Sequence, residues 1–350
     1  MGPVGVYGTG VASPVYLRHA CSLEHDTGGG HPERAERIRA VEARLDGLGW
    51  LGYEVQQAPA ATDEELLAVH PPEHLATVEA LSARGGGGVD PDTIASAATA
   101  EAARRAAGGA VAMVDGLVSG RLSTAFCGLR PPGHHAERAR AMGFCFFNSV
   151  AVAAQRAIDH HGVGRVLIVD WDVHHGNGTE AIFAASPEVV YVSLHQWPLY
   201  PGTGSASNTG RGAGAGYTLN LPVPPGSGDD VFCSLVEHVV VPAARAFAPG
   251  LILLSAGFDA HQDDPLADCL VSDEGFRAMA RALRRVAGEL GVPLGAVLEG
   301  GYELGALSRG VASTMAELAA QPDGRSPGLG PHPLAQGYAA ELASRPWGKV

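Results

Sequence analysis

The sequence predicts an α/β protein: a central, mostly parallel sheet of eight strands with helices on both faces. Three observations carry this. Short β-branched runs alternate with longer Ala/Leu/Arg stretches of helical period, as strand–helix–strand units do. Several strand candidates are nearly continuous apolar runs, which suits a sheet buried on both sides. No period of about 20–50 residues repeats, which excludes a solenoid.

In chain order the strands are Val4–Tyr7, Tyr53–Gln57, Thr124–Cys127, Arg165–Asp170, Val189–Leu194, Tyr217–Leu221, Leu251–Ser255 and Pro293–Leu298. Helical periodicity places helices near Pro32–Leu48, Pro72–Ala83, Ala95–Val118, Ser149–His160, Asp230–Ala246, Asp273–Glu289 and Leu304–Ala319. The glycine runs Gly85–Gly88 and Gly202–Gly216 read as loops, and neither has the flanking composition shift of a domain boundary. Residues 1–320 therefore read as one domain. Residues 321–350 read as a Pro/Gly-rich tail that packs on that domain or extends from it.

The chain has 350 residues, 46% of them hydrophobic, enough for a sizeable core. Its 48 glycines and 24 prolines make it loop-rich without reaching the level of disorder. A net charge of −13 argues against a nucleic-acid surface and is compatible with a cationic substrate. No run of about 18 apolar residues is free of breakers or charge, so no membrane span is expected. The first arginine is Arg18, so no basic signal-peptide start is expected either. Five cysteines without a C-x-x-C pair read as reduced thiols, and a cytoplasmic location follows as the expectation. The oligomeric state, including a homo-oligomer, is left open.

The densest chemical signal is Asp170-Trp171-Asp172-Val173-His174-His175-Gly176-Asn177-Gly178-Thr179, directly after an apolar strand. In extended chain, residues i, i+2 and i+4 share a side. Asp170, Asp172 and His174 thus project together at a strand's C-terminal end, where open α/β sheets place their sites. Asp172 and His174 offer an oxygen and an imidazole nitrogen, both zinc ligands. One such residue alone is more often a helix cap; two Asp and two His within six residues are not.

A second cluster is Arg130-Pro131-Pro132-Gly133-His134-His135, a histidine pair on a loop that two prolines stiffen. Imidazole titrates near neutrality and so suits proton transfer; a pair of surface histidines is the equal alternative, and His160-His161 reads as one. The third and fourth pieces are Ser255-Ala256-Gly257-Phe258-Asp259, followed by Asp263 and Asp264, and Leu298-Glu299-Gly300-Gly301-Tyr302. Each ends a hydrophobic strand. The inventory is three zinc-type ligands, a His pair and a tyrosine hydroxyl: a base, an acid and an oxyanion donor for amide hydrolysis.

With these residues in place the chain resembles the histone deacetylase family of the arginase–deacetylase fold, nearest to class II and bacterial deacetylase-like amidohydrolases. The matching motifs are HDTGGGHPERAERI (His25–Ile38), RPPGHHA (Arg130–Ala136), GFCFFN (Gly143–Asn148), DWDVHHGNGT (Asp170–Thr179), SLHQ (Ser193–Gln196), YPGTG (Tyr200–Gly204), SAGFDAHQDDPL (Ser255–Leu266) and LEGGY (Leu298–Tyr302). They stand in the family's order.

The resemblance implies Zn²⁺ on Asp172, His174 and Asp259. It makes His135 the general base and then acid, His134 its electrostatic partner, and Tyr302 the oxyanion donor. Asp170 would buttress His134, and Asn177 would orient His135; Asn at that place is the class II pattern. Gly143, Phe144, Tyr200 and Leu266 would line the substrate channel. Potassium would sit near Asp170, Asp172, His174, Ser193 and Leu194, and Arg37 would line an exit route for acetate. Two departures touch substrate recognition: Asn208 stands where an acid is common, and the glycine-rich rim leaves open whether Asp90 or Asp92 grips substrate. The implied reaction is hydrolysis of an N-acetyl or short N-acyl amide, with an acetylated lysine side chain favoured over an acetylpolyamine or other small acetylated amine. An arginase-type ureohydrolase and a catalytically silent binding protein are the remote alternatives.

Overall fold

The computed structural model describes residues 12–321 and 330–348. The strands are β1 (Ser13–Arg18), β2 (Glu54–Gln57), β3 (Gly86–Gly88), β4 (Ile94–Ser96), β5 (Leu122–Cys127), β6 (Val166–Asp170), β7 (Val189–Gln196), β8 (Thr218–Val223), β9 (Leu251–Ala256) and β10 (Leu294–Leu298). Eight of them form one sheet in the order β2-β1-β5-β10-β9-β6-β7-β8. Every pairing in it is parallel, so the expected mostly parallel sheet is wholly so.

Alternate residues of the central strands feed two cores. Leu167 and Val169 pack on one face with Phe232 and Phe276. Val166 and Ile168 pack on the other with Ala154 and Ala157. Residues of period two that are apolar on both faces make a strand with no polar side, which is why β6 and β9 read as unbroken apolar runs. The covering helices start where local chemistry allows. Ser149–Asp159 is capped by Asn148, whose side chain accepts the Ala151 N–H at 3.0 Å. Asp273–Leu290 is capped by Ser272 and ends at Gly291 in the left-handed region.

The expected strand at Val4–Tyr7 lies outside the described residues. The strand that joins β2 to β5 is instead Ser13–Arg18, which contains Pro14. The register shifts between Ser13 and Val15, and this irregularity accommodates a residue without an N–H. The Gly85–Gly88 run is not a plain loop: β3 pairs antiparallel with β4. The helix expected from Ala95 starts only at Thr99, whose hydroxyl accepts the Ser96 N–H at 2.7 Å. The helix expected over Asp230–Ala246 runs Asp229–Phe247 but widens by one residue per turn over Val236–Val240, ahead of Pro242, which has no N–H to give.

The segment expected to be a Pro/Gly-rich tail contains a helix, Pro333–Leu342. It and the residues after it cover the edge strand β8. Tyr338 donates to the Pro222 carbonyl (2.9 Å), Arg345 to that of Thr218 (3.0 Å) and Trp347 to that of Gly216 (3.0 Å). All five cysteines are unpaired and buried. No helix of the described residues is long and apolar enough to cross a membrane.

Candidate active site

Parallel strands put all their C-terminal ends on one edge of the sheet. The loops leaving the adjacent strands β5, β10, β9 and β6 meet there. Asp172 and His174 follow β6, and Asp259 follows β9. Their donor atoms lie within 4.8 Å of one another, with all three side chains buried. His174 Nδ1 is 3.1 Å from Asp172 Oδ1 and from Asp259 Oδ2. Backbone holds the carboxylates: the Gly300 N–H donates to Asp172 Oδ2 (2.8 Å) and the Val173 N–H to Asp259 Oδ1 (2.9 Å). Gly300 must lack a Cβ, which would fall 2.5 Å from Asp172 Oδ2 and nearer still to Asp259.

Burial pushes the Asp259 carboxyl up, and the Asp172 charge across the cluster adds to it. Two buried carboxylates this close repel one another, and a cation bound between them would relieve that repulsion. Two oxygen donors and one nitrogen donor, buried and converging, fit a divalent metal of the zinc type. It is the one such cluster among the described residues.

The His pair sits on the loop after β5. Glu299 pins that loop by accepting the N–H groups of Gly133 (2.7 Å) and His134 (3.1 Å), while Ser255 donates to its other oxygen (3.1 Å). The Glu299 carboxyl is pushed up to about 7, by burial first. His134 Nδ1 is 3.0 Å from Asp170 Oδ2, which also accepts the Tyr191 hydroxyl at 2.9 Å. His135 Nδ1 is 2.8 Å from Asn177 Oδ1, and the Asn177 amide donates to Glu137 at 2.9 Å. Because that amide faces a carboxylate, Oδ1 is the end turned to His135. The imidazole therefore carries its proton on Nδ1 and leaves Nε2 free as an acceptor.

The two histidines differ in basicity for identifiable reasons. Burial lowers both. For His134 the carboxylates of Asp172 and Asp170 outweigh it and hold the ring well above the usual imidazole range. His135 faces a neutral amide, and the positive charge of His134 drives it further down. A cationic His134 thus lies against a neutral His135, ring centroids 4.0 Å apart.

Tyr302 leaves β10 through Gly300-Gly301. Burial raises its phenol well above the ordinary value, so the hydroxyl remains a donor. Behind the ring, 5.0 Å from its centroid, lies the guanidinium of Arg37. Arg37 is fully buried and donates to the Gly301 carbonyl (2.7 Å) and Glu33 (3.1 Å). Burial works against ionisation of Glu33, but Arg130, His25 and Arg37 hold it well below the carboxylate range.

A cavity of about 390 Å³ opens above these groups, with His135, His174 and Tyr302 in its lining. Gly143, Phe144, Tyr200 and Leu266 form its walls, together with His31 and Asp92 at the rim. The Phe144 ring meets Tyr302 edge-on at 5.8 Å, and Tyr200 meets His135 the same way at 5.2 Å. Gly143 has φ +56, and a Cβ there would lie 2.7 Å from His135 Cγ, so this wall has to be glycine.

The structure separates the two rim acids. Asp90 is spent on a turn, accepting the N–H groups of Asp92 (3.2 Å) and Thr93 (2.6 Å), whereas Asp92 lines the cavity. Asn208 donates to Glu180, which also accepts from Asn220 (2.6 Å) and pairs with His175 (3.0 Å). An acid at position 208 would face that carboxylate, so the amide suits this network. Of the five residues linked to potassium, Asp170 pairs with Ser193 across β6 and β7 and Leu194 follows; Asp172 and His174 continue from β6. The Ser193 hydroxyl is 2.9 Å from His195 Nδ1.

From the sequence, Glu299, Glu33 and Arg130 enter only as members of motifs, with no role assigned, and Glu137 not at all. Glu299 carried a usable signal, a carboxylate at the end of an apolar strand like Asp170. The others become visible only through contacts distant in sequence.

A model of the histone deacetylase domain matches residues 31–318. The histone deacetylase-like amidohydrolase of Pseudomonas aeruginosa is 42% identical over 276 residues, 78% of this chain and 73% of that protein. A probable deacetylase of Archaeoglobus fulgidus is 36% identical over 294 residues, 82% of this chain and 80% of that one. The crystal structure of the HDA15 HD domain superposes with a TM-score of 0.88 at 36% identity, covering 96% of this chain and 94% of that chain. With this sheet, this site and these matches, the chain belongs to the histone deacetylase family of amide-hydrolysing enzymes.

Proposed function

We propose that this enzyme is a zinc-dependent deacetylase that removes an acetyl or other short acyl group from a lysine side-chain amine. One observation carries the reading: an apolar-walled cavity leads to a neutral imidazole, a protonated phenol and a buried two-carboxylate, one-imidazole cluster. Asp172, His174 and Asp259 would hold the zinc. Bound there, the metal would lower the pKa of water from 15.7 to about 7 and polarise the acyl carbonyl.

The chain's own groups do the rest. Phe144, Tyr200, Leu266 and Gly143 enclose an aliphatic stem and exclude water. The free Nε2 of neutral His135 takes a proton from the attacking water, and Asn177 holds the ring for it. As the acyl carbon becomes tetrahedral, the Tyr302 hydroxyl donates to the developing oxyanion. The His135 imidazolium then returns the proton to the leaving amine, and the C–N bond breaks to give the amine and a carboxylic acid, whose proton is lost on release. His134, tied to Asp170, keeps a positive charge beside this exchange and favours the neutral form of His135.

Asp92 is the rim carboxylate that would accept a substrate backbone N–H, and Arg37 would face departing acetate behind Tyr302. Potassium would lie beside Asp170 and Ser193 under the zinc ligands.

Turnover of an acetyl-lysine peptide by the zinc-loaded protein, compared with N-acetylputrescine and N⁸-acetylspermidine, tests the assignment. The expected kcat/KM for the peptide exceeds the others by about tenfold or more. The reverse order would move the substrate to small acetylated amines, and no turnover of any would sink the reading.

A further inference from the structure

Asp264 lies on the loop after β9, five residues beyond Asp259, and is buried. Its carboxylate reaches two separate walls of the cavity. Oδ2 accepts the N–H groups of Tyr302 (2.6 Å) and Glu303 (3.2 Å), and Oδ1 accepts that of Leu266 (3.0 Å). Tyr302 and Leu266 both line the cavity. The turn that carries Tyr302 follows Gly301, whose φ is +118, a conformation with little intrinsic restraint.

These bonds are not what starts the next helix. Leu304–Ala319 has its own cap, because the Glu303 side chain accepts the Ala306 N–H. What the Asp264 carboxylate fixes is the backbone of Tyr302 itself, and with it the direction in which the phenol reaches the cavity.

We propose that Asp264 is a positioning residue for the reaction: one buried carboxylate sets the Tyr302 hydroxyl and the Leu266 wall at a fixed separation. This rests on Tyr302 being the oxyanion donor. Asp264 touches no substrate. It acts through Tyr302, so its effect should be confined to the step in which that hydroxyl takes part.

The test is a double-mutant cycle on the zinc-loaded, full-length protein with an acetyl-lysine peptide, kcat being expressed per bound zinc so that a partly unfolded preparation does not mimic the effect. Asp264→Asn keeps the shape but turns one acceptor into a donor facing an N–H. It is expected to lower kcat by about tenfold or more, as small misplacements of a reacting group do, with KM within about threefold and zinc content unchanged. In the Tyr302→Phe background the same substitution is expected to change kcat by less than about twofold, since the group being positioned is gone. Asp264→Glu retains the carboxylate and should recover part of the loss; it also serves if Asp264→Asn does not fold. Wild-type kcat in Asp264→Asn, or an equal loss in both backgrounds, would overturn the proposal. Wild-type turnover in Tyr302→Phe would instead remove the oxyanion role on which it rests.

Discussion

The floor of the cavity and its rim are held in different ways. At the floor, Asp170, Asp172, Asp259 and Glu299 are 0–1% exposed, and each stands at or just beyond the end of a strand buried on both faces. Backbone N–H groups and the sheet register fix their oxygens. At the rim, Tyr200 is 38% exposed, and Asp92 sits on the short β3–β4 hairpin. Turns place these groups, and few buried contacts support them. The proposed chemistry is thus tied to the sheet and the proposed recognition to loops, so damage to the two regions should separate kinetically.

The largest expected effect lies at the floor. His135→Ala removes the neutral imidazole that faces the floor of the cavity and should cut kcat by at least about a hundredfold while zinc stays bound. Near-normal turnover in that variant would break the comparison at its base. A smaller effect is expected at the rim: Asp92→Asn should raise KM for a peptide by about three- to tenfold and leave kcat, and the turnover of a short acetyl-lysine reporter, unchanged. A loss of kcat there would show that rim and floor are not separable. Asp90→Asn, whose carboxylate serves a turn, should act through stability instead.

The smallest effect concerns the loop that joins the two regions. His70 donates from Nδ1 to the Arg138 carbonyl (2.9 Å) and accepts the Asn148 N–H on Nε2 (3.0 Å), so it holds the ends of the segment carrying Gly143 and Phe144. Burial lowers its pKa to about 4. In the unfolded chain it returns to an ordinary value, so the unfolded state binds the proton first as pH falls below about 6.5. Acidification therefore costs stability, by about 2 kcal/mol at pH 5 from this residue. Glu299 and Asp264, held near 7, work in the opposite direction. The informative quantity is the difference between wild type and His70→Gln: in thermal melts from pH 7 to pH 5 the variant should gain stability relative to wild type as the pH falls. Equal slopes would contradict the assignment.

Most of the floor was readable in the sequence, because a strand that is apolar on both faces and ends in Asp or His announces itself locally. What the sequence hid follows from physics that is not local. Pro14 and the Gly86–Gly88 run argue against strands, yet an irregular register accepts the proline and a short hairpin the glycines. Pro333 belongs to the segment whose composition reads as a tail, yet it stands at the first position of a helix, where its missing N–H costs nothing. The Glu33–Arg130 ion pair spans 97 positions and the Asp264–Tyr302 bond 38, distances over which no motif links the partners. The rim acids could be told apart only by what each one's oxygens already accept.

We propose that the buried Asp172–His174–Asp259 cluster holds the zinc on which amide hydrolysis depends. Elemental analysis and turnover of an acetyl-lysine peptide, measured on one preparation before chelation, after chelation and after adding one equivalent of zinc, test it most directly. Activity should fall to background with the metal and return in proportion to zinc rebound, whereas Asp259→Ala should neither rebind it nor recover. Undiminished turnover by the metal-free protein would contradict the account.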